Sequence, residues 1–93
     1  MALYNLNGKE NYLRCFIKLN DFDEIVSESA EQYSKELVQM KGDKLSFFLR
    51  ARTLLKRKYL TDGLECAEKL YEMDPSGENL LLIKEIKEII QKK

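Results

Sequence analysis

The sequence has no histidine and no tryptophan, and it has only two cysteines and one proline among 93 residues. Without histidine there is no imidazole to act as a general base, to activate a serine or a cysteine, or to bind zinc. Two cysteines cannot build a disulfide framework, and neither Cys15 nor Cys66 lies in a CxxC motif. We therefore predict a non-enzymatic chain with no metal site and no cofactor.

The sequence also lacks a long apolar run and an excess of charge of either sign. Its longest uninterrupted apolar run is residues 80–83, far shorter than the about 20 residues that span a bilayer. The first residues lack the basic stretch and apolar segment of a secretory signal. Lys and Arg total 16, as do Asp and Glu, so no bulk field attracts nucleic acid or anionic lipid. We predict a cytoplasmic protein.

What the sequence does contain is the pattern of one small helical domain. It is 44% hydrophobic and 34% charged, which is too apolar for a disordered chain. Its apolar residues recur at helical spacing almost everywhere, and no segment sustains the alternation typical of a strand. We predict an all-α chain of about five helices with short connections, forming a single domain over residues 1–93.

Helix boundaries are predicted from residues that satisfy free backbone groups at helix ends. The first helix is expected over about residues 9–19, and the third is expected to run to about residue 59. Gly42 is expected to stop the second helix, and Asp74 followed by Pro75 the fourth. The predicted starting caps, in chain order, are Asn7, Asp21, Asp43, Thr61 or Asp62, and Ser76.

The chain repeats itself at an offset of 38 residues, which aligns the first two predicted helices with the next two. Ser29 then pairs with Ala67 and Tyr33 with Tyr71, so small and aromatic residues recur at a fixed spacing. A helical hairpin repeated in tandem is typical of a solenoid, in which each unit buries its apolar face on the next.

Residues 47–75, FFLRARTLLKRKYLTDGLECAEKLYEMDP, resemble a tetratricopeptide repeat (TPR). Arg50 and Ala67 depart from the family pattern, which has an apolar and an aromatic residue there. The resemblance implies a short TPR-like solenoid of antiparallel hairpins. Repeat one would cover about 7–42, repeat two about 43–75 and a capping helix about 76–92. The matching positions are Phe47, Ala51, Leu54, Gly63, Leu70 and Pro75.

In TPR proteins the first helix of each hairpin lines a groove that binds a peptide or a partner helix. The resemblance therefore implies an adaptor for protein–protein interaction. Arg50 and Arg57 lie seven residues apart, so they share a helix face, and their guanidinium groups suit an acidic peptide or a carboxylate. The candidate partner-binding residues are Tyr12, Leu19, Arg50, Arg57, Lys84 and Lys87.

One TPR subfamily, the chaperone adaptors, holds a C-terminal carboxylate in a clamp of defined residues. In this sequence Leu13 and Leu49 stand where that clamp has asparagine, and Glu88 stands where it has a basic residue. The peptide groove implied by the resemblance is therefore expected to work without a carboxylate clamp of that kind.

Charge is strongly segregated along the chain. Residues 44–59 carry six basic and no acidic residues, and residues 60–79 carry six acidic and one basic. One interpretation is that the basic residues pair loosely with acids of the fourth helix and favour the negative end of their own helix dipole. A second is that they contact an acidic partner, and a third is that they dock on a ribonucleoprotein or nucleic acid.

Two further alternatives follow from the sequence. Exposed apolar faces of so short a repeat array are compatible with self-association. Glu24, Glu28 and Glu31 lie on one side of the second helix, where three carboxylates suit either a solvated face or a hard cation. Of the solvated face and the cation site, the solvated face is our prediction.

Overall fold

The computed structural model describes the backbone of residues 2–92 and the side chains of residues 7–92. Over this range the chain forms five helices and no strand, which confirms the predicted all-α class. Within the same range, no helix combines the length and the apolar character required to cross a membrane. The helices are α1 (Ala2–Phe16), α2 (Glu24–Met40), α3 (Lys44–Lys56), α4 (Leu60–Met73) and α5 (Gly77–Gln91).

The helices form a stack in which each packs against the next one along the chain. In addition, α1 packs against α3, so α3 packs closely against three other helices. This central position agrees with the sequence, because α3 carries apolar residues on two faces and such helices are usually sandwiched between neighbours.

Two of the predicted starting caps and both predicted stops are confirmed, since α4 ends directly before Asp74. Asp43 accepts a hydrogen bond from the Ser46 backbone N–H at 2.9 Å, and Ser76 accepts one from the Asn79 N–H at 3.2 Å. These bonds satisfy donors that the first turn of a helix leaves free. Gly42 adopts a φ of +60° just after α2, a left-handed conformation that glycine reaches without steric cost.

The predicted boundaries of α1 and the start of α2 are wrong. α1 begins at Ala2, not near Asn7, because no proline or glycine interrupts residues 2–7 and a helix can extend through them. It ends at Phe16 because Lys18 and Leu19 make tighter bonds to carbonyls three residues back. α2 is capped by Asp23, whose side chain accepts the Val26 N–H at 2.8 Å, and not by Asp21.

The predicted end of α3 and start of α4 are also wrong, for one shared reason. Lys58 adopts a left-handed φ of 69°. The N–H groups of Lys58 and Tyr59 then bond to the carbonyls of Leu55 and Leu54 at 3.1 and 2.9 Å, which is a Schellman closure. This closure ends α3 at Lys56 and places Leu60 at the start of α4. Neither Thr61 nor Asp62 is therefore the N-cap, and Tyr59 takes that position without a side-chain bond.

The core consists of two clusters on opposite sides of α3. Phe48 packs against both clusters, so α3 joins them. Between α3 and α4 the approach is close, since a Cβ on Gly63 would lie 3.5 Å from the Ala51 carbonyl oxygen. The buried residues of the first cluster are Leu13, Phe16, Ala30, Leu37 and Leu49, and those of the second are Ala51, Leu60, Ala67, Leu70, Leu82, Ile83 and Ile86.

Candidate functional site

Arg50 and Arg57 lie on the same face of α3, as their spacing predicts, and both side chains reach toward α2. The Arg50 Nη1 donates to the Glu31 carbonyl oxygen at 3.2 Å and to the Ser34 Oγ at 3.0 Å. Ser34 is fully buried, and its own hydroxyl donates to the same Glu31 carbonyl at 2.8 Å. Arg50 therefore links α3 to the backbone of α2.

Arg57 is a largely buried charged side chain of this junction, with 9% of its side chain exposed. Its Nη2 lies 2.9 Å from Glu24 Oε1 and its Nε lies 3.2 Å from Glu31 Oε1. The guanidinium also stands 5.3 Å from the centre of the Tyr59 ring. Burial lowers the Arg57 pKa, but the Tyr59 hydroxyl and the two carboxylates outweigh burial and raise it. Arg57 thus remains charged and is held by this chain's own acids.

The contacts of Arg57 also test the possible cation site among the glutamates of α2. Glu24 and Glu31 flank the Arg57 guanidinium, which occupies the place that a bound cation would take. Among the residues that the structure describes, no three cysteine, aspartate or glutamate side chains are arranged to hold a metal ion.

The remaining basic side chains of residues 44–59 are also largely engaged within the chain. The expected pairing with acids of α4 occurs only at that helix's C-terminal end, and the other partners belong to α5 and to the chain after α1. Lys44 lies 3.6 Å from Asp74, Arg52 lies 2.9 Å from Glu85, and Lys56 donates to the Leu19 carbonyl.

Tyr12 and Leu19 lie at the other end of the stack, beside an apolar cleft between α1 and the start of α2. The cleft has a volume of about 400 Å³. The Tyr12 hydroxyl donates to the Val26 carbonyl at 3.4 Å, and its ring meets the Tyr33 ring edge-on at 5.0 Å. Tyr12 is therefore held mainly by contacts within the chain, whereas Leu19 is exposed.

Lys84 lies in a groove between α3 and α5, which we call the α3–α5 groove. Its volume is about 700 Å³. Leu81 stands in this groove with 65% of its surface exposed. The apolar lining is Phe48, Leu81 and Leu82, and the polar lining is Arg52, Glu78, Asn79, Lys84, Glu85 and Glu88.

Lys87 lies on the opposite flank of α5, in a groove of about 580 Å³ that we call the α4–α5 groove. The six candidate residues are therefore spread over an internal helix junction, one cleft and two grooves, and the structure does not bring them together. The apolar lining of the α4–α5 groove is Tyr71, Leu80 and Ile83, and the charged lining is Glu65, Glu68, Lys69, Glu72 and Lys87.

Sequence reasoning missed the exposed leucines of α5. Residues 80–83 form the longest apolar run of the chain, and side chains in a helix are spaced about 100° apart. Such a run cannot point to a single core, so part of it must face outward. The structure buries Leu82 and Ile83, whereas Leu80 and Leu81 open into the two different grooves. The run itself was the signal that could have revealed them.

Sequence reasoning also missed a charged contact between α1 and the end of α2. Glu10 is 9% exposed, and its Oε2 lies 2.7 Å from the Lys41 Nζ. The hydrogen bond to Glu10 raises the Lys41 pKa. The two residues lie 31 positions apart, and no spacing rule connects them.

The two thiols occupy different environments. Burial raises the Cys66 pKa, and the nearby Arg50 guanidinium opposes this only in part. Cys66 is therefore a poor nucleophile at neutral pH, because the thiolate is the reactive form. Cys15 is exposed and lines the apolar cleft beside α1.

No protein-family model matches this chain, and comparison with curated proteins and with solved structures finds no match. The geometry defines an all-α helical stack whose helix α5 is bordered by an open groove on each flank.

Proposed function

We propose that the chain is a non-enzymatic adaptor whose α3–α5 groove binds a peptide segment or a helix of a partner protein. The observation that carries the proposal is Leu81, a leucine 65% exposed in a groove between two helices that Phe48 also lines. Fully burying a leucine side chain contributes about 1.5–3 kcal/mol, so a partner that covers Leu81 gains a useful part of its binding energy there.

The composition of the groove suits a protein segment. Its volume of about 700 Å³ falls within the about 300–1,000 Å³ of typical binding clefts. Its apolar floor is bordered by side chains of both charge signs, including Lys84 and Glu88. Charges at a rim orient a partner and set its register more than they add affinity. A segment with two or three apolar anchors and mixed charges is the ligand that fits this lining.

The TPR resemblance supports the proposal, because it assigns the binding groove to the first helix of each hairpin, and α3 contributes Phe48 and Arg52 to this groove. The proposal includes a cytoplasmic location, which the two free thiols support. The nucleic-acid alternative gains no support, because Lys44, Arg50 and Arg57 already contact acceptors of this chain.

A display library of random peptides, selected on the purified protein, tests the proposal. We expect enriched peptides to carry apolar anchors and to bind about tenfold more weakly to Leu81→Gln, because that variant removes the apolar contact. Ile25→Gln is the matched control, since Ile25 is 76% exposed and does not line the groove. Equal loss in both variants, or none in Leu81→Gln, contradicts the proposal.

A further inference from the structure

We infer that the α4–α5 groove is a second docking surface, and that its occupant is an amphipathic helix of a partner protein with basic residues along the edge that faces α4. This surface lies on the opposite flank of α5 from the α3–α5 groove. The inference goes beyond the proposed function and does not depend on it.

The first observation is an apolar helix face that the fold leaves open. α1 packs on both α2 and α3, whereas α5 packs mainly on α4. Leu80 is 38% exposed, and with Tyr71 and Ile83 it forms an apolar floor between α4 and α5. A helix lying along two others buries an apolar stripe against both. The floor of this groove offers the surface for such a stripe.

The second observation is the charge along the α4 edge. Glu65, Glu68 and Glu72 line this edge at spacings of three and four residues, and all three are exposed. Residues at these spacings are neighbours on a helix surface, so their like charges repel. Lys69 lies 4.0 Å from Glu72, but both side chains are largely exposed, and such pairs are screened by solvent.

The third observation explains why the basic residues of α3 do not neutralise these glutamates. The basic helix α3 could have neutralised them, but Arg57 pairs with Glu24 and Glu31 of α2, and Arg52 pairs with Glu85 of α5. Among the side chains of residues 7–92, Lys69 is the only basic group in an ion pair with this acidic edge.

These observations specify the occupant. Its apolar residues recur at helical spacing and cover Leu80 and Tyr71. Lysine or arginine lies along the side that faces α4, because basic groups there relieve the repulsion among the three glutamates. Lys87, on the α5 edge of the groove, favours an acidic residue on the other side of the same helix. The occupant thus carries basic residues on the side of its apolar stripe that faces α4 and an acidic residue on the side that faces α5.

A helical peptide library measures this preference directly. The library keeps a leucine stripe at helical spacing and varies the flanking positions among Lys, Glu and Gln. The selection target is the Leu81→Gln protein, so that the α3–α5 groove is already weakened. We expect enrichment of peptides with lysine along one edge, and affinity that falls as salt rises, because the Debye length shortens from about 10 Å at 0.1 M to about 3 Å at 1 M.

Charge-reversal variants then locate the bound peptide. We expect Glu65→Lys/Glu68→Lys to weaken binding of an enriched basic peptide at least about tenfold. Asp21→Lys/Glu28→Lys is the matched control, since it makes the same change in net charge at exposed acids outside the groove. Leu80→Gln, which removes the apolar contact and leaves every charge in place, is expected to weaken binding as well.

Three results would overturn the inference: enrichment of peptides that carry no basic residues along either edge, equal affinity for the two charge-reversal variants, or no effect of Leu80→Gln. Because the target carries Leu81→Gln throughout, none of these results bears on the α3–α5 groove. Failure of this inference is therefore distinguishable from failure of the proposed function.

Discussion

The two sides of α3 are held by different kinds of contact. On the side of α1 and α2, aromatic rings meet edge-on, as in the Phe16–Phe22 pair at 4.8 Å, and buried charges are paired, as in Arg57 with Glu31. On the side of α4 and α5, the buried residues from Leu60 to Ile86 are aliphatic. The one ion pair from α3 to α5, between Arg52 and Glu85, is exposed.

This difference bears on how closely each helix is held to α3. Hydrogen bonds and aromatic pairs are directional, so they bring α1 and α2 onto α3 in one arrangement. Aliphatic packing is not directional. It attaches α5 firmly to α4 and leaves its contact with α3 limited, which opens the larger of the grooves.

The largest expected effect tests whether aliphatic packing alone holds α5. Ile86 is fully buried, so Ile86→Ala should reduce the free energy of unfolding by about 2–5 kcal/mol. Urea denaturation measures this loss, and hydrogen exchange should show α5 losing protection before α2. Ile25→Ala is the control, because Ile25 is 76% exposed and surface changes stay within about 0.5 kcal/mol. A loss below that size in Ile86→Ala would show that other contacts hold α5.

A second prediction compares two arginines of the same helix that face opposite sides. Arg57→Met should cost about 1–3 kcal/mol, because it removes charged hydrogen bonds from a side chain that is 9% exposed. The buried Arg57 Nη1 has no partner within the described residues, which keeps the loss from being larger. Arg52→Met should cost at most about 1 kcal/mol, since its pair with Glu85 is exposed. Thermal unfolding of both variants measures the difference. Equal losses of stability would contradict the contrast between the α2–α3 and α3–α5 junctions.

A third prediction concerns the cap of α3, the helix that both junctions share. The backbone N–H of Ser46 holds the Asp43 pKa below its ordinary value of 3.8. A carboxyl with a lowered folded pKa stabilises the protein above the unfolded pKa, and this stability is lost as pH falls through the folded value. Asp43→Ala should therefore cost about 1 kcal/mol near pH 7, and the difference from the unchanged protein should shrink below about pH 4.

Asp43→Asn is the matched variant for this prediction, because asparagine also caps helices well and does not titrate in this range. Its stability near pH 7 should lie close to that of the unchanged protein. Urea titrations between pH 2 and pH 7 make the comparison. A loss in Asp43→Ala that is independent of pH would mean that the Asp43 charge contributes nothing to the cap.

The smallest expected effect concerns the repulsion among the exposed glutamates of α4. Glu68 lies three residues from Glu65 and four from Glu72, and like charges at these spacings destabilise a helix by about 0.2–0.5 kcal/mol per pair. Glu68→Gln should raise the free energy of unfolding by about that amount for each of the two pairs at low salt, and the gain should vanish at high salt. Asp21→Asn serves as the control, because Asp21 is exposed and lies outside the helices. A loss of stability in Glu68→Gln would indicate a basic partner for Glu68 within the chain.

Prediction from sequence succeeded where a feature depends on residues close together in the chain. The caps Asp43 and Ser76 and the stop at Gly42 were predicted because each acts on backbone groups within three or four residues. The start of α4 was missed because it depends on the left-handed conformation of Lys58, which no residue-based rule predicts. Glycine is the usual residue there, and a lysine gives no signal.

The candidate surface could be predicted only in part. Spacing placed Arg50 and Arg57 on one face, but which element that face meets depends on how the hairpins stack. The sequence offered α4 as the nearest acidic segment, and the structure pairs Arg57 with α2, 26 positions back at Glu31. The apolar run 80–83 indicates that part of α5 faces outward, but which leucines open into grooves depends on the spacing between whole helices.

The sequence by itself determined that this chain is all-α, with five helices, the starting caps of α3 and α5, and a basic third helix that lies between acidic second and fourth helices. These features are local, because a helix is set by hydrogen bonds and apolar spacing within a few residues. Only the tertiary structure decided that α2 and α5 take up the charges of α3, that the α4 glutamates remain without such partners, and that α5 stands between two grooves. These outcomes depend on distances between residues far apart in the chain, which side-chain packing and directional contacts establish when the helices come together.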